Sequence, residues 1–115
     1  MSTARTRRGS EEIEMARRAA VAWLPRARDA DYVRGAMVVY DWLLGRCVEA
    51  PASGRILAPT DDAILSEEHV ADDATYRRPG APELAQGYAV GVATALMWAR
   101  GVEDEAAVPI EWFDG

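Results

Sequence analysis

The side chains best suited to chemistry lie in an acidic segment, residues 60–74, which contains the only histidine of the chain. On a helix, Glu68 and Asp72 would share one face, and His69 and Asp73 would share the adjacent face. An imidazole beside carboxylates can bind a divalent metal or act as a general base. One histidine supplies few ligands, however, and a mixed acidic run is more often solvated surface. We therefore predict no catalytic residue, no metal and no cofactor, and keep an enzyme centred on His69 as an alternative.

The acidic residues also occur as doublets, which raises a second alternative. Negative pairs five or six residues apart imitate phosphate spacing and can occupy the nucleic-acid site of a basic protein. The residues concerned are Asp61, Asp62, Glu67, Glu68, Asp72 and Asp73. Such contacts weaken steeply with salt, so a salt titration against a basic partner tests for them. The solubility of an acidic chain explains the same doublets more simply.

Positive charge is concentrated at the other end of the chain. Residues 1–58 carry a net charge of +3 and residues 59–115 a net charge of −9. Residues 1–9 have no large apolar side chain after Met1, so we predict a flexible basic arm ahead of a single helical domain at 10–115. The arginines that could contact phosphate are Arg5, Arg7, Arg8, Arg17 and Arg18. A nucleic-acid accessory function is a third alternative, although the net charge of −6 argues against general nucleic-acid binding.

Composition and missing motifs argue against several protein classes. No apolar run approaches the ~18 residues of a membrane span, and no apolar signal-peptide core follows the first basic residues. We therefore expect a cytoplasmic protein with no membrane partner. Phosphate-loop, dinucleotide-binding and zinc-protease motifs are absent from the sequence. Cys47 is the only cysteine, which rules out a disulfide within the chain and is typical of a small half-buried apolar residue.

Hydrophobic periodicity predicts a mainly α fold, a small three- to four-helix bundle. The first helix is expected over Ser10–Leu24. The second, residues 32–44, is apolar nearly all round and should therefore be buried. A third is expected over residues 82–100. The acidic segment should form a further short helix that begins at Thr60 or at Ser66.

The second and third of these helices contain the same four residues at the same spacing. The segments YVRGAMVVYDWLLG (32–45) and YAVGVATALMWARG (88–101) match at Tyr, Gly, Trp and Gly. Glycine inside a helix costs about 1 kcal/mol relative to alanine, so its repetition indicates close approach of the two helices, with each tryptophan near the other's glycine. Whether the match reflects duplication is left open. The residues assigned to this packing are Tyr32, Gly35, Trp42, Tyr88, Gly91, Ala95 and Trp98.

Two further segments have no helical pattern. Residues 46–59 form an irregular connection that is long for a compact domain, and such connections often carry function. Residues 108–113 (VPIEWF) are too apolar for a free tail, since they include Ile110, Trp112 and Phe113. We expect this segment to fold onto the core or onto a partner, with a minor β pairing to residues 55–58.

The chain contains thirteen basic residues, all arginine, and 22 alanines, with no lysine or asparagine, a bias typical of a high-GC genome. Together with the YxxGxxxxxxWxxG pattern within residues 30–101, this composition resembles small actinobacterial or actinophage proteins, a resemblance that implies no activity. Four tryptophans are more than so small a core buries comfortably, and tryptophan is enriched in interfaces. We therefore predict an acidic, non-enzymatic protein-interaction or assembly protein that self-associates as a homo-oligomer.

Overall fold

The described part of the chain folds into helices, as the hydrophobic periodicity predicts. A computed structural model describes residues 8–108. Within that range the helices are α1 (Ser10–Trp23), α2 (Ala30–Leu43), α3 (Asp61–Thr75) and α4 (Gln86–Ala99). A short 3-10 turn, Leu24–Arg26, follows α1. None of the helices in residues 8–108 has the length and apolar character needed to cross a membrane.

Capping side chains set where α2 and α3 begin. The carboxylate of Asp29 accepts a hydrogen bond from the backbone N–H of Tyr32 at 3.2 Å. Thr60 does the same for α3, where its hydroxyl accepts from the N–H of Ala63 at 3.2 Å. Both caps satisfy backbone donors that a helix start leaves without partners. The cap at Thr60 decides between the two starts predicted for the acidic segment.

The prediction for the start of α4 is wrong by four residues. Pro82 was expected as the first helical residue, but the helix begins at Gln86. The intervening residues stay outside the helix, where Leu84 packs against the core. The side chain of Gln86 donates to the backbone carbonyl of Thr75 at 3.0 Å and so ties the helix start to the end of α3. Packing thus overrides the preference of proline for the first helical turn.

The two similar helices, α2 and α4, form the centre of the bundle. They share the largest interface, while α1 packs on α2 and α3 packs on α4. Gly35 lies against Tyr88, whereas Tyr40, further along α2, contacts Trp98, further along α4. The central helices therefore run in the same general direction. Tyr40 and Trp98 meet edge to face, with ring centroids 5.8 Å apart.

The repeated glycines hold the central helices together by a reciprocal contact. At Gly35 the neighbouring atoms are the backbone of Tyr88 and Val92, and at Gly91 they are the backbone of Tyr32. Each glycine thus faces the carbonyl of the tyrosine that precedes the other glycine. The tryptophan expected near each glycine is not among the atoms closest to it, which all belong to the backbone of the opposite helix. Backbone approach of this kind brings Cα–H groups against carbonyl oxygens, a recurrent contact between closely packed helices.

The other residues that α2 and α4 have in common, the tryptophans and the terminal glycines, also occupy equivalent positions in the two helices. Trp42 and Trp98 are both 1% exposed. Gly45 and Gly101 follow the helix ends with φ of 78° and 83°, and each donates its N–H to the carbonyl of the matched tryptophan, at 3.0 and 2.9 Å. A left-handed glycine is the usual way to end a helix. The matches therefore share packing roles.

The likeness continues past the helices. After Gly45, Ala50 and Ala52 are buried, and after Gly101 the residues at the same offsets, Ala106 and Val108, are buried as well. Each central helix is thus followed by an irregular segment whose fifth and seventh residues after the glycine return to the core.

The predicted pairing of residues 55–58 with 108–113 stays a prediction. Among the described residues, Ile56 forms an isolated antiparallel bridge with Glu49, within the same connection. Residues 109–113 lie outside the described residues. The bridge is local because the connection turns back on itself at Gly54, which has φ of 75°.

Candidate functional site

The connection between α2 and α3 is the most elaborately anchored irregular segment of the described chain. Its residues 48–57 form a turned-back loop, here called the hairpin. Across the hairpin, the N–H of Ala50 donates to the carbonyl of Arg55 at 2.7 Å, and the N–H of Leu57 donates to that of Val48 at 3.3 Å. Side chains from three helices then hold the hairpin against the bundle.

The strongest of these anchors is Glu67 of α3, which is fully buried. One carboxylate oxygen accepts from the backbone N–H groups of Ala52 and Ser53, both at 2.8 Å. The other accepts from the hydroxyl of Ser53 at 2.7 Å. Burying a carboxylate is costly unless hydrogen bonds satisfy it, and here three donors do so.

Glu67 was predicted to lie on an acidic interaction surface, and that prediction is wrong. The sequence contained a signal for its burial. The buried residues of α3 recur at helical spacing and place Glu67 in the middle of the apolar face: Ala63, Ile64, Glu67, Ala71 and Ala74. A carboxylate at a core-facing position indicates a buried partner rather than a solvated face.

Two side chains of the central helices complete the anchoring. The hydroxyl of Tyr88 donates to the carbonyl of Pro51 at 2.8 Å. The indole N–H of Trp42 donates to the carbonyl of Leu57 at 2.8 Å. Because α2, α3 and α4 each hold the hairpin at a different place, its conformation is fixed on the bundle.

The outer side of the hairpin is apolar. Ile56 is 77% exposed and Val48 is 58% exposed, the largest exposures among the large aliphatic residues of the described chain. Beside them lies a shallow groove whose lining includes Trp42, Cys47, Val48, Ile56, Leu57 and Pro59. Sequence reasoning missed this surface, because residues 46–59 have no periodicity that would separate exposed apolar side chains from buried ones.

Cys47 lies in the groove as a partly exposed thiol whose reactivity is reduced by its surroundings. Burial raises its pKa, and the negative charges of Asp41 and Glu49 raise it further. Its S–H donates weakly to the carbonyl of Glu49 at 3.8 Å. The thiolate is the reactive form, so these surroundings disfavour nucleophilic or redox chemistry.

Several carboxylates of the predicted acidic surface are engaged by arginines. Glu68 accepts from Arg100 at 2.8 Å. Arg78 contacts both Asp72 and Asp73, at 2.9 and 2.8 Å. His69 is exposed, and so are Asp61 and Asp62 near the start of α3. Among residues 8–108 no three His, Cys, Asp or Glu side chains lie close enough together to hold a metal ion.

Arg8 belongs to the folded bundle. Its guanidinium donates to the carbonyl of Trp98 at 2.9 Å and to that of Glu103 at 2.8 Å, and lies over the indole ring of Trp98 at 4.9 Å. It therefore places positive charge at the negative end of α4, where the helix dipole favours it. Its aromatic contact is a cation–π interaction. Sequence reasoning placed Arg8 in the flexible arm and gave no sign of these contacts.

The other predicted basic contacts are divided between paired and exposed positions. Arg17 forms an ion pair with Asp41 at 2.5 Å, which joins α1 to α2. Arg18 is largely exposed, and its guanidinium is in loose contact with the carboxylate of Glu14, at 3.7 Å. Arg5 and Arg7 lie outside the described residues, as do Ile110, Trp112 and Phe113.

No protein family, no curated protein and no solved structure matches this chain.

Proposed function

We propose that this chain is a small, non-enzymatic, cytoplasmic protein that self-associates through the outer side of the hairpin. The observation that carries the proposal is the pairing of rigid anchoring with apolar exposure at Val48 and Ile56. Arginine-only usage and abundant alanine support an actinobacterial or actinophage origin.

The anchoring exceeds what a simple connection requires. A loop that only joins α2 to α3 could stay on the surface with its backbone in water. Here a buried carboxylate and two helix side chains fix its shape. Fixing a surface before binding lowers the entropy lost on association, which is how a preorganised interface gains affinity.

The apolar side chains supply the driving force. Burying an exposed aliphatic side chain contributes roughly 1.5–3 kcal/mol. Ile56 points away from the core, so the fold itself gains little from it. A partner that covered Ile56 and Val48 would recover this energy, and contiguous exposed apolar residues often mark such contacts.

The alternative functions receive less support from the described contacts. Arg8 and Arg17 are bonded within the chain, which reduces the positive charge available for phosphate. Glu67 is buried and Glu68 is paired, which interrupts the acidic doublets of a phosphate mimic. His69 lacks the additional ligands that a metal-dependent enzyme would need within residues 8–108.

Sedimentation velocity over a wide range of protein concentration tests the proposal. We expect the average mass of the wild-type chain to rise with concentration. Val48→Ser should weaken association several-fold, and Ile56→Ser should weaken it more, because each removes apolar area from the interface. Val102→Ser is the matched control, since Val102 is 55% exposed but lies at the end of α4.

A chain that stays monomeric at every concentration would overturn the proposal. So would an equal effect of Val48→Ser and Val102→Ser, because it would show that exposed valine acts through general stickiness. Thermal unfolding of each variant confirms that the fold is retained, as expected for substitutions of exposed residues.

A further inference from the structure

The hairpin has a hydrogen-bonding edge at Ile56 that no residue of 8–108 occupies. Its cross-strand hydrogen bonds use the backbone groups of the flanking residues Arg55 and Leu57. The N–H and C=O of Ile56 point to the other side and have no partner among the described residues. An open edge of this kind accepts an added strand, whose main chain supplies affinity while its side chains fill neighbouring pockets.

The edge also carries a positive charge. Arg55 is exposed, and no carboxylate of residues 8–108 forms an ion pair with it. The groove beside the edge is apolar. A complementary strand would therefore combine apolar side chains with negative charge.

One segment of this chain has that chemistry. Residues 1–7 (MSTARTR) are polar and basic, whereas residues 109–115 (PIEWFDG) contain three large apolar residues and two acids. In a strand, Ile110 and Trp112 fall on one face, with Glu111 between them on the other. The segment therefore matches the groove by its apolar face and Arg55 by its charge.

We propose that residues 109–115 of a second copy add as a strand to the Ile56 edge, with Trp112 in the groove. This inference rests on the proposed self-association and names the segment that carries it. Seven residues can span about 23 Å when extended, which is more than a short edge strand needs.

The positions of the anchors favour a second copy over the same chain. The hairpin is held by α2, α3 and α4, through Trp42, Glu67 and Tyr88. The chain leaving α4 is held by Arg8, which binds the carbonyl of Glu103, and it is still buried at Val108. No described residue after α4 lines the groove, which favours docking from a second copy.

Cys47 provides a native reporter, because it lines the groove. The experiment measures the rate of alkylation of Cys47 in the full chain at fixed pH, as a function of protein concentration. We expect the rate to fall several-fold as concentration rises, since docking covers the thiol. In Trp112→Ala, the alkylation rate should stay at every concentration equal to that of the dilute protein. In Trp112→Phe, most of the protection of Cys47 should remain.

A peptide supplies the matched control. A synthetic peptide of residues 108–115 added to the full-length Trp112→Ala chain should restore protection of Cys47. The same peptide carrying Trp112→Ala should not, although its charge is unchanged.

The outcomes separate this inference from the proposed function. Self-association that survives Trp112→Ala but is lost in Ile56→Ser overturns the inference and leaves the proposed function standing. Protection that is independent of concentration and released by Trp112→Ala shows docking within one chain and overturns the second-copy assignment. A monomer at every concentration overturns both.

Discussion

The two halves of the bundle share the packing of their central helices and differ in the segments after those helices. In each half a tyrosine, a glycine and a tryptophan pack a central helix, and a left-handed glycine ends it. After α2, the chain forms a hairpin that Glu67 holds from inside. After α4, it is held by Arg8, which binds two carbonyls at the helix end. The repeated residues therefore build the core, and the unrepeated residues shape the surfaces that we propose for function.

The largest expected loss of stability comes from disrupting the glycine contacts between α2 and α4, which the two halves share. An alanine at Gly91 or Gly35 would place its Cβ against a backbone carbonyl of the opposite helix, and backbone in a packed helix cannot move aside. We expect each substitution to lower the free energy of unfolding by at least about 2 kcal/mol, even after alanine's gain of roughly 1 kcal/mol in helix propensity. Urea unfolding measures this. Leucine at either position should prevent folding.

Gly87→Ala is the matched control within α4. Its added Cβ would meet the carboxylate of Asp29, the end of a side chain that can rotate. We expect a change within about 1 kcal/mol of the wild type, since the helix gains propensity while the cap of α2 is disturbed. Equal effects at Gly87 and Gly91 would contradict the reciprocal backbone contact.

The second largest effect should come from the anchor that only one half possesses. Glu67→Ala leaves the N–H groups of Ala52 and Ser53 buried without an acceptor, which should cost about 3 kcal/mol or more. Glu67→Gln keeps the shape and one acceptor, so we expect a loss of about 1–2 kcal/mol. Urea unfolding of the two variants measures both losses.

Glu68→Gln is the control for Glu67, because the neighbouring carboxylate keeps some solvent exposure and is paired with Arg100, whose side chain is 32% exposed. It should change the stability by less than about 1 kcal/mol. If Glu68→Gln were as damaging as Glu67→Gln, the buried anchor would not be the feature that distinguishes the two carboxylates.

Local sequence signals were sufficient to predict the helices and the close contact between α2 and α4. Apolar spacing identified the helical segments, and the repeated glycines indicated close approach of the two central helices. The same spacing indicated that Glu67 is buried, because it lies on the helix face of Ile64 and Ala71. That signal was outweighed by the acidic residues on either side of it.

The anchoring contacts could not be predicted in the same way. The partners of Glu67 lie in a connection with no periodicity, so nothing local identifies the N–H groups that it binds. Arg8 bonds to a carbonyl 90 residues further along the chain, and one arginine in a polar segment looks like the next. Contacts of this kind depend on how the packed helices bring distant segments together.

Arg8→Met tests the anchor of the other half. Methionine keeps most of the stem but loses two charge-assisted hydrogen bonds and the positive charge at the end of α4. We expect the free energy of unfolding to fall by about 1–2 kcal/mol at low salt, and by less at high salt. Arg18→Met should change it by no more than about 0.5 kcal/mol, because that guanidinium is mostly exposed. A loss confined to Arg18→Met would contradict the assignment of Arg8 as the anchor.

The smallest effect compares the matched tyrosines. Burial raises the pKa of both Tyr88 and Tyr32 above the ordinary value of 10.0, so the neutral phenol is favoured in the folded state. Stability from these groups is complete below pH 10 and is lost as the pH rises above it, because the unfolded chain ionises first. Tyr88→Phe should lower the free energy of unfolding by about 1 kcal/mol at neutral pH, through loss of the hydrogen bond to Pro51. It should also make the loss of stability at alkaline pH less steep.

Tyr32→Phe should likewise make the loss of stability at alkaline pH less steep, but it should not loosen the hairpin. The alkylation rate of Cys47 in dilute protein should therefore rise in Tyr88→Phe alone. A rise in both variants would show that the hairpin depends on the packing of α2 against α4 in general, and not on the hydrogen bond from the Tyr88 hydroxyl to Pro51.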